Sequence, residues 1–347
     1  MSREMESLET GKRAVLLLAH GTPDVLGEMA EYLSKVTGGR ALPQQVVKEL
    51  RHRYAQIGLR ETPGVEAPPL TKWTMTQGYL LEKALGGEKV YVGMRNWHPY
   101  INDVVGAMRR DGVTHMKAIC LAPQNSRTSV GLYRRAVLAA ATGIEVEFVA
   151  GWAESPVLAE AFAEKLRPVW TRACAEVGRR VPVMFTAHSV PCRTIMTGEA
   201  SVAGARPGTP EQSSPDPYPV EAKRTAEMVA ERMATAGFDD RDWYFAFQSQ
   251  GISGGPWIGP TVEETLEAIR DEGHVGVVMQ PVGFLCDHVE ILYDVDVAFR
   301  EAARGLGLKL WRTESLNDSP LLIQALVEVV SGEYKATVDE VTVPAGV

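Results

Sequence analysis

The chain has 347 residues, 45% of them hydrophobic, with a net charge of −8 and a pI near 5.5. That is apolar material for one large core or two medium ones, and the absence of a basic block argues against nucleic acid as a partner. Apolar runs stop at strand length, well short of the roughly 20 residues of a bilayer span, and the polar start MSREMESLET has no leader-like region, so a cytoplasmic protein without an integral membrane segment is expected.

In chain order, short apolar runs predict strands over residues 14–19 (AVLLLA), 89–93, 116–121, 145–149, 181–187 (VPVMFTA), 242–247 and 275–279. Between them, amphipathic patterns predict helices over 71–84, 99–109, 131–141, 156–177, 220–236 and 262–270, with a last one at 319–330. Near-continuous apolar strands alternating with helices predict an α/β fold with parallel sheets covered on both faces. So many units suggest two such domains, with a boundary near 151–156. Two breaker-rich segments interrupt the rhythm, 58–69 (GLRETPGVEAPP) and 196–219, and both read as loops. The four cysteines, Cys120, Cys174, Cys192 and Cys286, form no CxxC pair, against a disulfide framework or a cysteine zinc site.

In open α/β sheets ligands sit beyond the carboxyl ends of the strands. Collected there are His20, Arg95, His98 and His188, with no glycine-rich nucleotide motif. The densest polar stretch is GFLCDHVEILYDVD at 283–296. A helix starting at Asp287 places Glu290 and Asp294 on one face and makes Asp287 an N-cap, with Asp294 and Asp296 as solvated surface; Ala298 ends the acidic row. His188 reads equally as a satisfied strand-end residue or as a base or ligand, and so does His20, whereas His98 before Pro99 reads as structural. The residues alone reach a cleft with histidines and acids, suited to metal handling or acid–base work, and no further.

Taken together, VYVGMRNWHPYI (90–101), LAPQNSRTSVGLYRRA (121–136), FTAHSVP (185–191), DPYP (216–219), FQSQGISGGPWIGPTVEETL (247–266), PVGFLCDHVEILYDVD (281–296) and SLNDSPLLIQAL (315–326) resemble, in order, the motifs of the ferrochelatase family. The resemblance implies two Rossmann-like domains, each with a parallel sheet flanked by helices, and a porphyrin cleft between them. The implied division is 1–152, 153–314, and a C-terminal helix and tail, 315–347, packing back on the body. It implies a lyase of haem biosynthesis, with Fe(II) and a porphyrin as substrates, His188 and Glu290 as the catalytic and metal-binding pair, and Asp287 and His288 as supports. His20 stands where some bacterial members have an iron-ligating tyrosine, and Arg53, Tyr54 and Tyr133 match porphyrin-contacting positions. His20 also has an acid–base reading, from the similar strand end of smaller chelatases. Two departures stand out: 57–70 (IGLRETPGVEAPPL) replaces the family's IGGxSP turn, and Ala298 interrupts the acidic row linked to a second metal site. No C-terminal cysteines are present, so no [2Fe–2S] cluster is expected. Coproporphyrin III is favoured over protoporphyrin IX, haem-pathway proteins are the partners this leaves room for, and a chelatase for another metal or tetrapyrrole, or a non-catalytic haem-binding protein, is the alternative.

Overall fold

The computed structural model describes residues 11–196, 215–239, 242–251 and 255–342. β1 (Lys12–Ala19) leads into α1 (Met29–Val36), α2 (Gln44–Gln56) and α3 (Pro69–Ala84); then follow β2 (Val90–Met94), α4 (Ile101–Arg110), β3 (Val113–Cys120), α5 (Val130–Ala140) and β4 (Glu145–Gly151). α6 (Pro156–Val177) crosses to a second series: β5 (Val183–His188), α7 (Cys192–Met196), α8 (Tyr218–Met233), β6 (Trp243–Gln248), α9 (Val262–Asp271) and β7 (Gly276–Pro281). After β7 come α10 (Val289–Leu292), a π-helix (Asp294–Phe299), α11 (Arg300–Gly305), β8 (Lys309–Arg312), α12 (Pro320–Ser331) and β9 (Thr337–Thr342).

Two sheets result. The first has the order β2-β1-β3-β4-β9, parallel except that β9 runs antiparallel to β4; the second is fully parallel, in the order β6-β5-β7-β8. In both, the first strand has the second on one side and the third on the other, which opens a crevice at its carboxyl end. The α/β, two-sheet expectation therefore holds. Along β1, Ala14, Leu16 and Leu18 face one core while Val15, Leu17 and Ala19 face another, which is why the segment reads as an unbroken apolar run.

That second core joins the halves. One cluster contains Val15, Leu17 and Val92 of the first sheet, Val183, Phe185 and Val278 of the second, and the buried faces of α6, α8 and α12 between them. Local signals place the helices. Ser155 accepts the Leu158 N–H, Pro156 fills the first turn of α6, and Gly178 closes the helix with φ 73°, so its limits agree with the pattern-based ones. Thr261 and Glu264 form a reciprocal capping box at α9. The structure corrects the expectation of a regular helix from Asp287. The helix begins at Val289 with His288 as its N-cap, and the Tyr293 carbonyl accepts from both Val297 and Ala298, which widens the following turn. The 197–214 part of the second predicted loop lies outside the described residues.

Phe162 of α6, 1% exposed in the shared cluster, tests that both halves lean on one core. Replacing it with Ala is expected to lower the unfolding free energy by about 3–5 kcal/mol, seen as a lower urea midpoint for the far-ultraviolet signal.

Candidate active site

A cavity of about 600 Å³ opens beyond β1 and β5. His20 follows β1 directly, and His188 is the last residue of β5, so the two histidines occupy the same topological place in the two halves. The local sequences agree as well: Ala19-His20-Gly21-Thr22-Pro23 in one, Ala187-His188-Ser189-Val190-Pro191 in the other. Thr22, Tyr32, Tyr54, Arg95 and Tyr133 line the first half's side, and Tyr218, Phe284, His288 and Glu290 the second's. Gly58, Leu59, Pro68 and Pro69, from the segment that departs from the family's turn, form part of the wall.

On the second side, the ring of His188 turns Nδ1 to the Ser189 carbonyl, so Nδ1 carries a proton and Nε2 faces Glu290 Oε1 at 3.2 Å. The other Glu290 oxygen faces His288 Nε2 at 3.3 Å, and His288 Nδ1 donates to the Cys286 carbonyl at 2.9 Å. Burial alone would raise the Glu290 pKa, but His188, then His288, outweigh it and hold the carboxylate well below its ordinary range. His188 answers in kind: burial pulls it down, Glu290 pulls it up more strongly, and the net shift is upward. The pair thus draws His188 towards its protonated form and Glu290 towards its charged one. Around it, Gln248 accepts from Thr186 Oγ1 (2.7 Å) and donates to the Glu290 carbonyl (3.0 Å), while Tyr218 Oη donates to the His188 carbonyl (2.8 Å). Gly283 lets the loop after β7 close on β5: a Cβ there would stand 2.9 Å from Ala187 Cα.

On the first side, His20 is neutral, pushed down to about 4 by burial and then by the Arg95 charge. Its Nδ1 donates toward the Gly21 carbonyl (3.2 Å) and Tyr32 Oη (3.1 Å), which leaves Nε2 to accept from Asn96 Nδ2 at 2.9 Å. Tyr54 Oη reaches Tyr32 Oη at 3.5 Å, and burial pushes the Tyr54 phenol up to about 12, so it stays a neutral donor. Tyr133 lies under the Arg95 guanidinium, 5.5 Å from its carbon to the ring centre.

Five of the six expected site residues, His20, Tyr54, Tyr133, His188 and Glu290, therefore line one cavity. Arg53 does not. It is held by Glu49 (3.2 Å) and Asp294 (3.4 Å) and lies over the Tyr293 ring. Asp287 is no N-cap: its carboxylate binds Ser315, Asn317 and Arg312. Asp294 is buried and accepts from Ser249 Oγ at 2.5 Å, and Asp296 is gripped by Arg312 at 2.8 and 2.9 Å, so neither is free surface. Tyr32, Asn96 and Tyr218 were not expected here. Tyr218 belongs to a quoted motif, and Asn96 stands in the strand-end stretch after β2; Tyr32 lies in α1, whose Met29, Tyr32, Leu33 and Val36 keep the i, i+3, i+4, i+7 spacing of a helix over only two turns, a signal the strand-and-helix reading passes over.

The family model described as Ferrochelatase matches residues 12–334. A curated protein named ferrochelatase from Acidobacterium capsulatum is 56% identical over 337 residues, covering 96% of this chain and 98% of its own. One from Geobacillus thermodenitrificans named coproporphyrin III ferrochelatase is 30% identical, over 91% of this chain and 94% of its own. Among solved structures, SirB from Bacillus subtilis with Fe3+ aligns with a TM-score of 0.47 at 11% identity, over 92% of this chain and 94% of that one.

The electrostatics give a sign. In the wild type His188 is expected to titrate above the ordinary 6.5, so the stability its proton contributes is present below that value and fades as pH rises through the raised one. Replacing Glu290 with Gln removes the strongest upward influence on His188, leaving only the Ser189 carbonyl and Asp294 against burial, and is expected to lower the His188 midpoint, followed by the imidazole C–H resonances. An unmoved midpoint would show that the carboxylate is not its partner.

Proposed function

The chain belongs to the ferrochelatase family, a family of metal-chelating lyases, and from that premise we propose that it inserts Fe(II) into coproporphyrin III in preference to protoporphyrin IX. The observation that carries the reading is the His188–Glu290 pair, Nε2 to Oε1 3.2 Å, on the wall of a cleft of about 600 Å³. Insertion removes two pyrrole N–H protons and puts one divalent ion in their place. Two ligands on a divalent ion at right angles, each roughly 2.1 Å from it, stand roughly 3 Å apart. The pair therefore has the bite to receive the metal in exchange for the proton it shares, and arrival of the metal releases that proton. As the metal passes from the pair to the ring nitrogens, the imidazole and carboxylate it leaves regain their lone pairs and can take the two pyrrole protons. Tyr54, Tyr133 and Arg95 offer phenols and a cation to ring and carboxylates; Arg53 would have to leave Asp294 to do the same.

His20 supports the coproporphyrin choice, together with the name of the Geobacillus relative. Held neutral, its imidazole keeps a lone pair for the product's iron, given up by Asn96 from Nε2. The division at 1–152, 153–314 and 315–347, the cytoplasmic setting and partner proteins of the haem pathway are carried as parts of the same proposal. None of the described helices is long and apolar enough to cross a membrane.

An anaerobic assay offering Fe(II) with each porphyrin in parallel tests the reading. Turnover of coproporphyrin III is expected to exceed that of protoporphyrin IX, and to fall by at least about 100-fold in His188→Ala and Glu290→Gln. Tight binding of porphyrin without metallation would sink it in favour of a carrier. Separately, His20→Ala is expected to shift the absorption bands of the bound haem product; an unchanged spectrum would remove the ligand role.

A further inference from the structure

The signature 315–326 has no part in the chemistry so far, yet its Asn317 has one of the two positive φ values found outside glycine among the described residues, 45°. Glycine would hold such a turn with no side chain at all. Here the side chain is fully used. Asn317 Oδ1 accepts the Asp287 backbone N–H (2.9 Å), and Asn317 Nδ2 donates to Asp287 Oδ2 (3.0 Å), a reciprocal pair. The Asn317 N–H donates to the Leu285 carbonyl at 2.9 Å. Ser315 Oγ and Arg312 Nη1 take the other Asp287 oxygen at 2.7 and 3.4 Å. The Asn317 carbonyl, in turn, accepts from Gln77 Nε2 at 2.7 Å.

Those bonds join opposite sides of the cleft. Gln77 is fully buried on α3, whose Pro69, Leu70 and Thr74 line the cavity. Asp287 stands immediately before His288, which caps α10 and meets Glu290. We propose that Asn317 is a positioning residue for the reaction: it ties the α3 wall to the loop that leads into α10, and so fixes the Glu290 carboxylate against His188. The inference rests on the reading of Glu290 as a group that meets the metal. Partners of this kind, one bond removed from a ligand, govern its direction more than its presence.

Asn317→Asp sets two carboxylates face to face. It is expected to lower kcat by about 10–100-fold while porphyrin Kd, read by fluorescence quenching, and Tm stay near wild type. The double exchange Asp287→Asn with Asn317→Asp rebuilds the reciprocal pair with the charge on the other side, and is expected to recover most of the lost kcat. Asn317→Gly, which keeps the turn, serves if the single exchange does not fold, and is expected to show the same loss of kcat. Wild-type kcat in Asn317→Gly, or a loss that the double exchange fails to recover, overturns the inference and leaves Asn317 a turn residue. Glu290→Gln runs alongside. Normal turnover there overturns the active-site reading itself, and this inference with it; an inactive Glu290→Gln beside a fully active Asn317→Gly sinks the positioning role alone.

Discussion

A carboxylate partly withdrawn from water in a cleft stays charged beside an imidazole when each finds the other and both find further partners. Glu290 does so three times over: His188 on one oxygen, His288 on the other, and Gln248 on its backbone carbonyl. Much of the surrounding structure exists to hold that arrangement. Gly283 lets the loop after β7 close on β5, Tyr218 fixes the His188 backbone, and the widened turn after Tyr293 swings Asp294 to Ser249 and Arg53. Ser249 itself sits at a φ of 62°, a conformation usually left to glycine, which the bonds around it sustain.

The site is also built from two like halves. At the end of its first strand each half carries Ala-His, a small residue, one more, then Pro, and each sets that histidine in the crevice between the second and third strands. The two rings differ in surroundings rather than in place. His188 faces a carboxylate and is drawn towards its charged form; His20 faces an amide, a phenol and a nearby guanidinium, and is kept neutral. One scaffold position thus supplies a proton-holding imidazole on one side and a lone-pair-bearing one on the other.

What the sequence showed and hid follows from the same physics. Strands buried on both faces, such as β1 and β5, are apolar runs that no other element imitates at that length, and their ends point to His20 and His188. The clear helix ends were those with local markers, such as Ser155-Pro156 and the Thr261–Glu264 box. β9 reads TVDEVT, with no run and no clean alternation, because it is specified by the free edge of β4 and not by its own pattern. β8 is four residues long, too short to carry a period. Glu290 came to notice through charge density and family likeness; the departure from regular helix around it was invisible, since it depends on which carbonyl Ala298 bonds to. Asp287 was misjudged because a carboxylate before a helix is usually its cap, and its true partners lie about thirty positions further along.

The pairing of β9 with β4 bears on how the chain comes off the ribosome. β9 is the last strand to be synthesised among those described, and α12, which fills the shared core, comes just before it. Until both have emerged, β4 presents an unpaired edge and the nascent first half lacks part of its hydrophobic lining. Such an edge is a template for pairing with another chain. Vectorial synthesis therefore leaves the first half open for the whole time the second is being made, and a chain cut short before β9 would carry an edge primed for intermolecular β-pairing.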